Sequence, residues 1–120
     1  MLLKGDMEDC LFCKIIKGEV PAKIVGESTN SIAFNDINPQ APTHILIIPK
    51  IHLSSNLDLN EKNIYTLSDM VLLANRISSE LGMDATGFRW VMNTGDDGGQ
   101  TVEHMHLHLL AGRKLHWPPG

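Results

Sequence analysis

Residues 103–110 read Glu-His-Met-His-Leu-His-Leu-Leu, so that histidines alternate strictly with apolar residues. Side chains of a β-strand point alternately to the two faces of its sheet. As a strand, this segment places His104, His106 and His108 on one face and the apolar residues on the other, against a core. In a helix the apolar residues would have no common face. We therefore predict a strand over about residues 101–110, carrying a row of three imidazoles.

A row of imidazoles suits several kinds of chemistry. Because the imidazole pKa lies near neutral pH, the side chain can ligate a metal, transfer protons or act as a nucleophile. A polar strand that faces solvent and happens to be rich in histidine is the alternative without a function. The neighbouring segment Gly98-Gly99-Gln100-Thr101 favours a functional site, but spacing alone leaves metal binding and catalysis both open.

The loop before the histidines has features of an anion-binding loop. Glycines at positions 95, 98 and 99 allow backbone N–H groups to approach an anion closely. Gln100 and Thr101 add side-chain donors next to the histidine face. The chain has no G-x-x-x-x-G-K-[ST] motif, which excludes a P-loop enzyme that uses lysine and Mg²⁺. Because most glycine-rich loops are only turns, this loop supports the histidine row without defining a site by itself.

Length, composition and charge narrow the class of protein. The chain has 120 residues, of which 42% are apolar and 20% charged, which predicts a soluble globular protein with one domain over residues 10–120 and a flexible tail over residues 1–9. It contains neither the ~20-residue apolar run of a membrane helix nor a signal peptide, so we expect a cytoplasmic protein without a membrane partner. The net charge of −4 and scattered basic residues argue against long nucleic acid as a partner.

Hydrophobic periodicity predicts short strands around one long helix. The long helix is expected to run from Asn60, as its N-cap, to Leu81, with Gly82 as its stop. Its apolar stripe at helical spacing comprises Ile64, Leu67, Val71, Ala74, Ile77 (with Ser78) and Leu81. The other predicted elements are a short helix over residues 10–17 and strands over residues 22–26, 31–36, 43–49, 88–93 and 101–110. The apolar run within residues 43–49 is continuous, which predicts a central strand buried on both faces. Because strands and helices do not alternate strictly, the fold class is α+β with a largely antiparallel sheet.

Two cysteines lie three positions apart, as Cys10-Leu11-Phe12-Cys13. A disulfide between them would close a very small loop, which makes a poor staple for a secreted fold. The pair therefore favours metal or redox chemistry. The alternative is two buried thiols on one helix turn, which would behave as small apolar side chains.

Four separated motifs resemble, in the correct order, those of the histidine-triad (HIT) superfamily, and specifically its Hint branch of nucleoside phosphoramidate hydrolases. The motifs are FCKIIKGEVP at residues 12–21, AFNDINPQAPTH at residues 33–44, GGQTVEHMHLHLL at residues 98–110 and HWPPG at residues 116–120. The resemblance covers nearly the whole chain. It implies a five-stranded antiparallel sheet with two helices, and a homodimer that joins two such sheets into one of ten strands.

The resemblance also implies a substrate class and catalytic roles. The substrate would be a purine nucleoside monophosphate joined through its phosphate to an amine, or an anhydride such as an aminoacyl adenylate, and catalysis would require no cofactor. His106 would attack the α-phosphorus to give a nucleotidyl-histidine, and His108 would hydrogen-bond a non-bridging oxygen. His104 and His44 would hold the nucleophilic ring and balance its charge. Thr101, where many Hint proteins carry serine, would contact the phosphate and assist the leaving group.

The nucleotide-binding site implied by the resemblance includes further residues. They are Phe12, Ile15, Val20 and Ile37 around the purine, Asp36 at the ribose hydroxyls, Asn93 and Gly99 along the sugar–phosphate path, Gln100 beside the histidine face, and Trp117, which would approach the site of the partner subunit. Without the resemblance, Asp36 would be interpreted as the start of a turn. His44 would then be an ordinary buried histidine on a core strand.

Some microbial relatives of this kind carry a structural zinc site, which the resemblance extends to this chain. Cys10 and Cys13 would be completed by His52 and His104, and two sulfurs with two imidazoles suit tetrahedral Zn²⁺. A ligated His104 could not also transfer a proton, and it would then anchor the histidine strand. Three hypotheses result. The leading one is phosphoramidate hydrolysis through His106; the others are a nucleotide-binding interaction module with vestigial hydrolysis and a zinc protein whose histidine row is structural.

Overall fold

The computed structural model of this chain describes residues 9–120, so the predicted N-terminal tail lies outside the described residues apart from Asp9. The regular elements, in chain order, are α1 (Leu11–Ile16), β1 (Ile24–Glu27), β2 (Ser31–Asn35), β3 (Thr43–Pro49), α2 (Tyr65–Glu80), β4 (Arg89–Val91), α3 (Gly95–Gly98) and β5 (Leu107–Ala111). Two 3₁₀ turns, Asn56–Asp58 and Met83–Ala85, flank α2.

The strands form one antiparallel sheet in the order β1-β2-β3-β5-β4. The predicted α+β class and the five-stranded antiparallel sheet are therefore confirmed. Both expected helices are present, and a single turn over Gly95–Gly98 forms a third where the sequence predicted only a loop. Over residues 9–120, no helix is long and apolar enough to cross a membrane.

The sheet separates two apolar clusters because its side chains alternate between faces. On β3, Ile45 and Ile47 join the cluster under α2, whereas Leu46 and Ile48 join the cluster under α1. All four are almost completely buried, which confirms the prediction that this strand is buried on both faces. The face toward α1 carries the histidines described below.

Helix α2 is shorter and rotated relative to its prediction. It begins at Tyr65 rather than after Asn60, whose side-chain oxygen instead accepts hydrogen bonds from the N–H groups of Lys62 and Asn63 in a separate turn. The helix ends at Glu80, and Gly82 follows with a φ of +73°, as its predicted role as a stop requires. Its buried residues are Thr66, Met70, Leu73, Ala74, Ile77 and Ser78. The first three of these are absent from the predicted stripe, and the last three belong to it.

The histidine strand begins later than predicted. Ladder pairing starts at Leu107, so that His104 and His106 lie on the approach to β5 rather than within it. The reason is a contact with a distant part of the chain: the N–H of Met105 donates to the carbonyl of Leu53, 2.7 Å away, and not to a neighbouring strand. The predicted alternation is retained, since Met105, Leu107 and Leu109 all pack into the cluster under α2.

One carboxylate on α2 closes the turn between β1 and β2. Oδ2 of Asp69 accepts hydrogen bonds from the hydroxyls of Ser28 and Ser31, the latter at 2.7 Å, and from the N–H of Asn30 at 3.3 Å. Ser31 is fully buried. Burial raises the pKa of the Asp69 carboxyl, but these hydrogen bonds outweigh burial and hold the pKa below its usual value. The carboxylate therefore fastens the edge hairpin to the helix.

We expect Asp69→Ala to lower the free energy of unfolding by about 2–3 kcal/mol, because it leaves the buried Ser31 hydroxyl and two further donors without their acceptor. Urea denaturation followed by circular dichroism measures the change. Glu80→Ala is the matched control, since it removes only an exposed ion pair with Arg76 and should cost less than about 0.5 kcal/mol. Equal losses in the two variants would contradict this account.

Candidate active site

A cavity of about 510 Å³ opens on the α1 side of the sheet. Its walls come from the α1 segment, the end of β2 with the following loop, β3 and the approach to β5. The lining residues are Leu11, Phe12, Ile15, Val20, Pro21, Ala22, Phe34, Asn35, Asp36, Ile37, Asn38, Gln40, His44, Leu46, Thr101, Val102, His106 and His108. The lining thus combines an apolar part, which includes Phe12, Ile15, Val20 and Ile37, with a polar part of imidazoles and a carboxylate.

His106 is held in one orientation at the inner wall of this cavity. Its Nδ1 lies 2.7 Å from the carbonyl oxygen of His104, which can only accept, so Nδ1 carries the proton and Nε2 carries a lone pair. The ring of Phe12 packs edge-on against the imidazole with centroids 5.2 Å apart. His106 is only 5% exposed. The side chain is a neutral imidazole with a defined tautomer and its basic nitrogen directed away from the backbone bond.

A chain of hydrogen bonds fixes the tautomers of two more histidines. The backbone N–H of Gln40 donates to Nδ1 of His44, 3.0 Å away, so His44 is protonated at Nε2. That Nε2 lies 2.9 Å from Nδ1 of His108, which must accept, and His108 is therefore protonated at Nε2. Among residues 9–120, no group accepts a hydrogen bond from this last N–H. His108 thus presents a buried donor at a cavity that it lines.

These three imidazoles are neutral at neutral pH. Burial, together with the neighbouring His106 and His44 rings, lowers the pKa of His108 to about 4. Burial also lowers the pKa of His106 and of His44, with Asp36 opposing the effect on both. Neutral imidazoles are the form that can act as nucleophile and as directed hydrogen-bond donor.

Asp36 lies beside this chain of imidazoles. One carboxylate oxygen accepts from the N–H of Asn38 at 2.7 Å, and the other lies 3.4 Å from Nε2 of His44. Asp36, His44 and His108 bring their potential ligand atoms within 4.8 Å of one another, a spacing that suits a metal. The tautomers argue against one, because Nε2 of His44 carries a proton while its Nδ1 is occupied by Gln40. The carboxylate therefore stabilises the imidazole chain.

A second cluster, hereafter the Cys₂His₂ cluster, comprises Cys10, Cys13, His52 and His104. Nδ1 of His104 lies 3.3 Å from Sγ of Cys10 and 3.6 Å from Sγ of Cys13, whereas Nδ1 of His52 lies 3.3 Å from Sγ of Cys13. The two Nδ1 atoms are 3.2 Å apart. Ligands around tetrahedral Zn²⁺ are separated by roughly 3.4 Å for two nitrogens and roughly 3.6 Å for nitrogen and sulfur. The observed spacings fit such an ion.

The protonation of this cluster also fits a metal. Nε2 of His104 lies 3.0 Å from the carbonyl oxygen of Pro49, so it carries the proton and leaves the Nδ1 lone pair toward the sulfurs. Burial, together with the neighbouring Cys10, raises the pKa of the Cys13 thiol to about 12, against an opposing effect of Lys17. Burial likewise lowers the pKa of His104 to about 4. A bound divalent cation would convert the buried thiols to thiolates and satisfy all four ligands.

His104 connects the two groups of residues. Its ring belongs to the Cys₂His₂ cluster, whereas its backbone carbonyl accepts the proton of His106 Nδ1. His104 is completely buried, which excludes the solvent-facing polar strand considered for the sequence. The position of the His106 ring thus depends on how the cluster holds the residue two positions before it.

The structure brings most of the predicted nucleotide-binding residues to one cavity. Eight of them line it: Phe12, Ile15, Val20, Asp36, Ile37, Thr101, His106 and His108. The remaining four lie outside the lining: Asn93, Gly99, Gln100 and Trp117. The Gln100 side chain instead ties its own loop, with Nε2 donating to the carbonyls of Ser54 and Val102. Trp117 is 82% exposed.

Sequence reasoning missed several contributors to the site. The most important is the backbone N–H of Gln40, which sets the tautomer of His44 and which no side-chain pattern reveals. Pro39 and Pro42, on either side of it, restrict the backbone of this loop and are the signal in the sequence that it is held in place. Phe34 and Leu46 line the cavity because alternate residues of β2 and β3 face α1.

The chain matches the model of a known protein family and resembles several solved structures. The model of the HIT domain family matches residues 17–115, a range that does not include Cys10 and Cys13. A solved structure of a HIT family hydrolase from Legionella pneumophila has a TM-score of 0.90 at 48% identity, and the match covers 93% of this chain and 100% of that one.

Two further similarities concern ligands. The 14 kDa zinc-binding protein of Zea mays is 44% identical over 121 residues, which cover 99% of this chain and 94% of the plant protein. The structure of a histidine triad nucleotide-binding protein from Candida albicans has a TM-score of 0.79 at 33% identity, covering 92% of this chain and 83% of that one.

Proposed function

This chain belongs to the HIT domain family, and we propose that it hydrolyses purine nucleoside phosphoramidates in the manner of the family's Hint branch. The substrate class includes an amine joined to the phosphorus of AMP, and mixed anhydrides such as aminoacyl adenylates. The intermediate is a nucleotidyl group bound covalently to His106. No cofactor takes part in the bond-making steps.

The observation that carries this proposal is the tautomer of His106. Its Nδ1–H is committed to the carbonyl of His104, so the Nε2 lone pair is available to an electrophile in the cavity. The same carbonyl stabilises the positive charge that the ring acquires once Nε2 is bonded to phosphorus. Next to it, the Nε2–H of His108 is a donor without a protein acceptor in the described chain, which suits a non-bridging phosphate oxygen.

The reaction balances in two displacements at phosphorus. In the first, Nε2 of His106 forms a bond to phosphorus while the bond from phosphorus to the amine breaks. The amine leaves with that electron pair and takes a proton that the Thr101 hydroxyl relays from solvent. In the second, water attacks phosphorus, the bond to Nε2 breaks, and the proton lost by water returns to solvent. Dividing one difficult transfer into two in-line steps lowers the highest barrier.

The apolar part of the cavity lining supports recognition of a purine. It comprises the buried ring of Phe12 and the aliphatic side chains of Ile15, Val20 and Ile37. The Ile37 side chain is 99% exposed, and a bound purine base would cover this apolar surface. Asp36 also lines the cavity, where its carboxylate can accept hydrogen bonds from ribose hydroxyls. Asn93 and Gly99 belong to the proposed sugar–phosphate path, and Gln100 stays a proposed nucleotide-binding residue, although none of the three lines the cavity.

The Cys₂His₂ cluster is proposed to hold a structural zinc ion. Its four ligand atoms fit tetrahedral coordination, and a zinc ion there supplies folding energy rather than chemistry. The role of Cys10, Cys13, His52 and His104 is to fix the approach to β5. His104 thereby acts as an anchor for the hydrogen bond to His106 and not as a proton carrier.

A homodimer is proposed that joins two sheets into one of ten strands. The strand order places β4 at an edge of the sheet, with no further strand of residues 9–120 beside it. Trp90, at the centre of that strand, is 38% exposed. In such a dimer, Trp117 of one subunit would approach the cavity of the other, which accords with its exposure here.

The proposal predicts that the purified protein converts an adenosine 5′-phosphoramidate to AMP and free amine with many turnovers per chain. Anion-exchange chromatography measures AMP, and a fluorogenic amine reports the leaving group independently. Rapid quenching in base, in which a phosphorus–nitrogen bond to histidine survives, should yield chain mass increased by one nucleotidyl group. A peptide map should place this group on His106.

The nucleotide-binding module with vestigial hydrolysis is the competing hypothesis. It predicts micromolar AMP binding by calorimetry but no release of amine from several phosphoramidates of different leaving groups. That combination of results would overturn the proposed function while leaving the nucleotide site intact.

A further inference from the structure

Two elements outside the cavity hold the loop that sets the histidine tautomers. The loop of residues 36–42 connects β2 to β3, and the turn of Gly112 and Arg113 directly follows β5. Arg113 is exposed and does not line the cavity. Its guanidinium nevertheless contacts the one residue whose backbone N–H determines which nitrogen of His44 carries the proton.

The contact between Arg113 and the loop is unusually well defined for an exposed side chain. Nε and Nη2 of Arg113 both donate to the carbonyl oxygen of Gln40, at 3.2 and 3.0 Å. Nη1 donates to the carbonyl of Lys114 at 3.0 Å, which ties the guanidinium to its own turn. A planar fork held at both ends loses less conformational entropy per hydrogen bond than a single flexible donor.

Gly112 adds a packing contact to the same loop. It has a φ of +96°, and a Cβ atom built on it would lie 2.8 Å from Cβ of Pro42. Backbone and proline ring are therefore in close apposition only because this residue has no side chain. Gly112 and Arg113 together hold Gln40 and Pro42, with Gln40 positioned between two prolines that limit its freedom.

The hydrogen bonds continue from this turn to the cavity without a gap. The Gln40 N–H donates to Nδ1 of His44, and Nε2–H of His44 donates to Nδ1 of His108. The protonated Nε2 of His108 is the donor assigned to the phosphate in the proposed function. If the Gln40 N–H moved away, His44 could exchange its proton between nitrogens, and His108 would no longer be restricted to one tautomer.

We propose that Arg113 is a positioning residue for the reaction: by clamping the Gln40 backbone it fixes the His44 and His108 tautomers and so keeps the phosphate-binding N–H of His108 in place. This inference rests on the proposed function for its catalytic consequence, whereas its structural content, the tautomers, does not. Arg113 acts through Gln40 and His44 and has no contact with substrate.

The test compares Arg113→Ala with Arg113→Lys and Arg76→Ala. Arg76 is the matched control because its guanidinium is also exposed and also donates to a backbone carbonyl, that of Glu27 at the end of β1, and neither residue lines the cavity. We expect kcat/KM to fall about tenfold in Arg113→Ala, mainly through kcat, since the loss of one well-placed hydrogen bond is felt in the transition state. Arg113→Lys should recover part of the loss, and Arg76→Ala should stay within about twofold of the parent.

A spectroscopic measurement separates positioning from a general loss of stability. Long-range ¹H–¹⁵N correlation spectra of the histidine rings distinguish a protonated from an unprotonated nitrogen. The parent protein should show His44 and His108 as pure Nε2–H tautomers, and Arg113→Ala should show both shifted toward tautomer averages while the Arg76→Ala spectrum is unchanged. Unchanged tautomers in Arg113→Ala would overturn the proposal.

The same spectra keep this inference distinct from the proposed function. If the parent protein has no turnover with phosphoramidates, the function fails, yet the tautomer shift in Arg113→Ala still supports the clamp. If the parent turns over and Arg113→Ala retains full kcat with shifted tautomers, the function stands and the catalytic consequence assigned to Arg113 is wrong.

Discussion

His106→Asn is expected to lower kcat/KM for an adenosine phosphoramidate by at least about 10³-fold, because it removes the nitrogen that forms the covalent intermediate. Asparagine is chosen because its side-chain amide N–H can replace the Nδ1–H of His106 as donor to the carbonyl of His104. The variant therefore removes the nucleophile while retaining the hydrogen bond that orders the approach to β5. Release of AMP under single-turnover and steady-state conditions measures the loss.

Two measurements show whether that loss is chemical. The Kd of AMP for His106→Asn, measured by calorimetry, should lie within about threefold of the parent value, because the apolar part of the cavity lining and the donor on His108 remain. His116→Asn is the control, since His116 is exposed and lies outside the cavity. It should keep full turnover. Undiminished activity in His106→Asn, or a nucleotidyl adduct trapped on another residue of that variant, would contradict the mechanism.

The alternation of histidine and apolar residues predicted the orientation of side chains better than it predicted the strand. Met105, Leu107 and Leu109 occupy the core as expected, because burial of apolar side chains needs only extended backbone of period two. The ladder begins at Leu107 because the Met105 N–H finds a partner in the Leu53 carbonyl. A sequence pattern reports the face on which a residue lies, whereas pairing depends on a neighbour about 50 positions away.

The same distinction explains what sequence reasoning missed in the site. Side chains such as those of Phe12, Asp36 and His108 could be named from motifs, and the structure places them around one cavity. The Gln40 N–H could not, because every residue except proline has a backbone donor and only the tertiary structure selects which one is used. The clamp by Arg113 depends on a contact between positions 40 and 113, which no local pattern encodes.

The rotated face of α2 has a related cause. Met70 and Leu73 form the centre of its buried face, whereas the predicted members Ile64 and Leu81 are 45% and 57% exposed. An apolar stripe predicts a helix reliably, but a helix with apolar residues over a wide arc can be rotated when it packs on a sheet. The carboxylate of Asp69, fastened to the turn between β1 and β2, is a specific contact that fixes this rotation.

Cys10→Ser is expected to lower the melting temperature of the zinc-loaded protein by about 10 °C or more, because it removes a ligand from the proposed structural ion. The substitution is well suited to isolate the metal. Sγ of Cys10 also accepts a hydrogen bond from the N–H of Cys13 as the N-cap of α1, and serine is a preferred N-cap. Without a metal, serine should therefore be neutral or stabilising at this position, so only the zinc hypothesis predicts a lower melting temperature.

Metal content and chelation complete this comparison. The parent protein, purified without added metal, should contain one equivalent of zinc by inductively coupled plasma mass spectrometry, and Cys10→Ser should contain much less. A strong chelator should lower the melting temperature of the parent toward that of Cys10→Ser and leave the variant almost unchanged. Because His104 belongs to the cluster and its carbonyl holds His106, the chelated parent should also lose order in the His106 ring resonances. A parent that is zinc-free, equally stable with chelator and no more stable than Cys10→Ser would identify Cys10 and Cys13 as buried thiols that only fill the core.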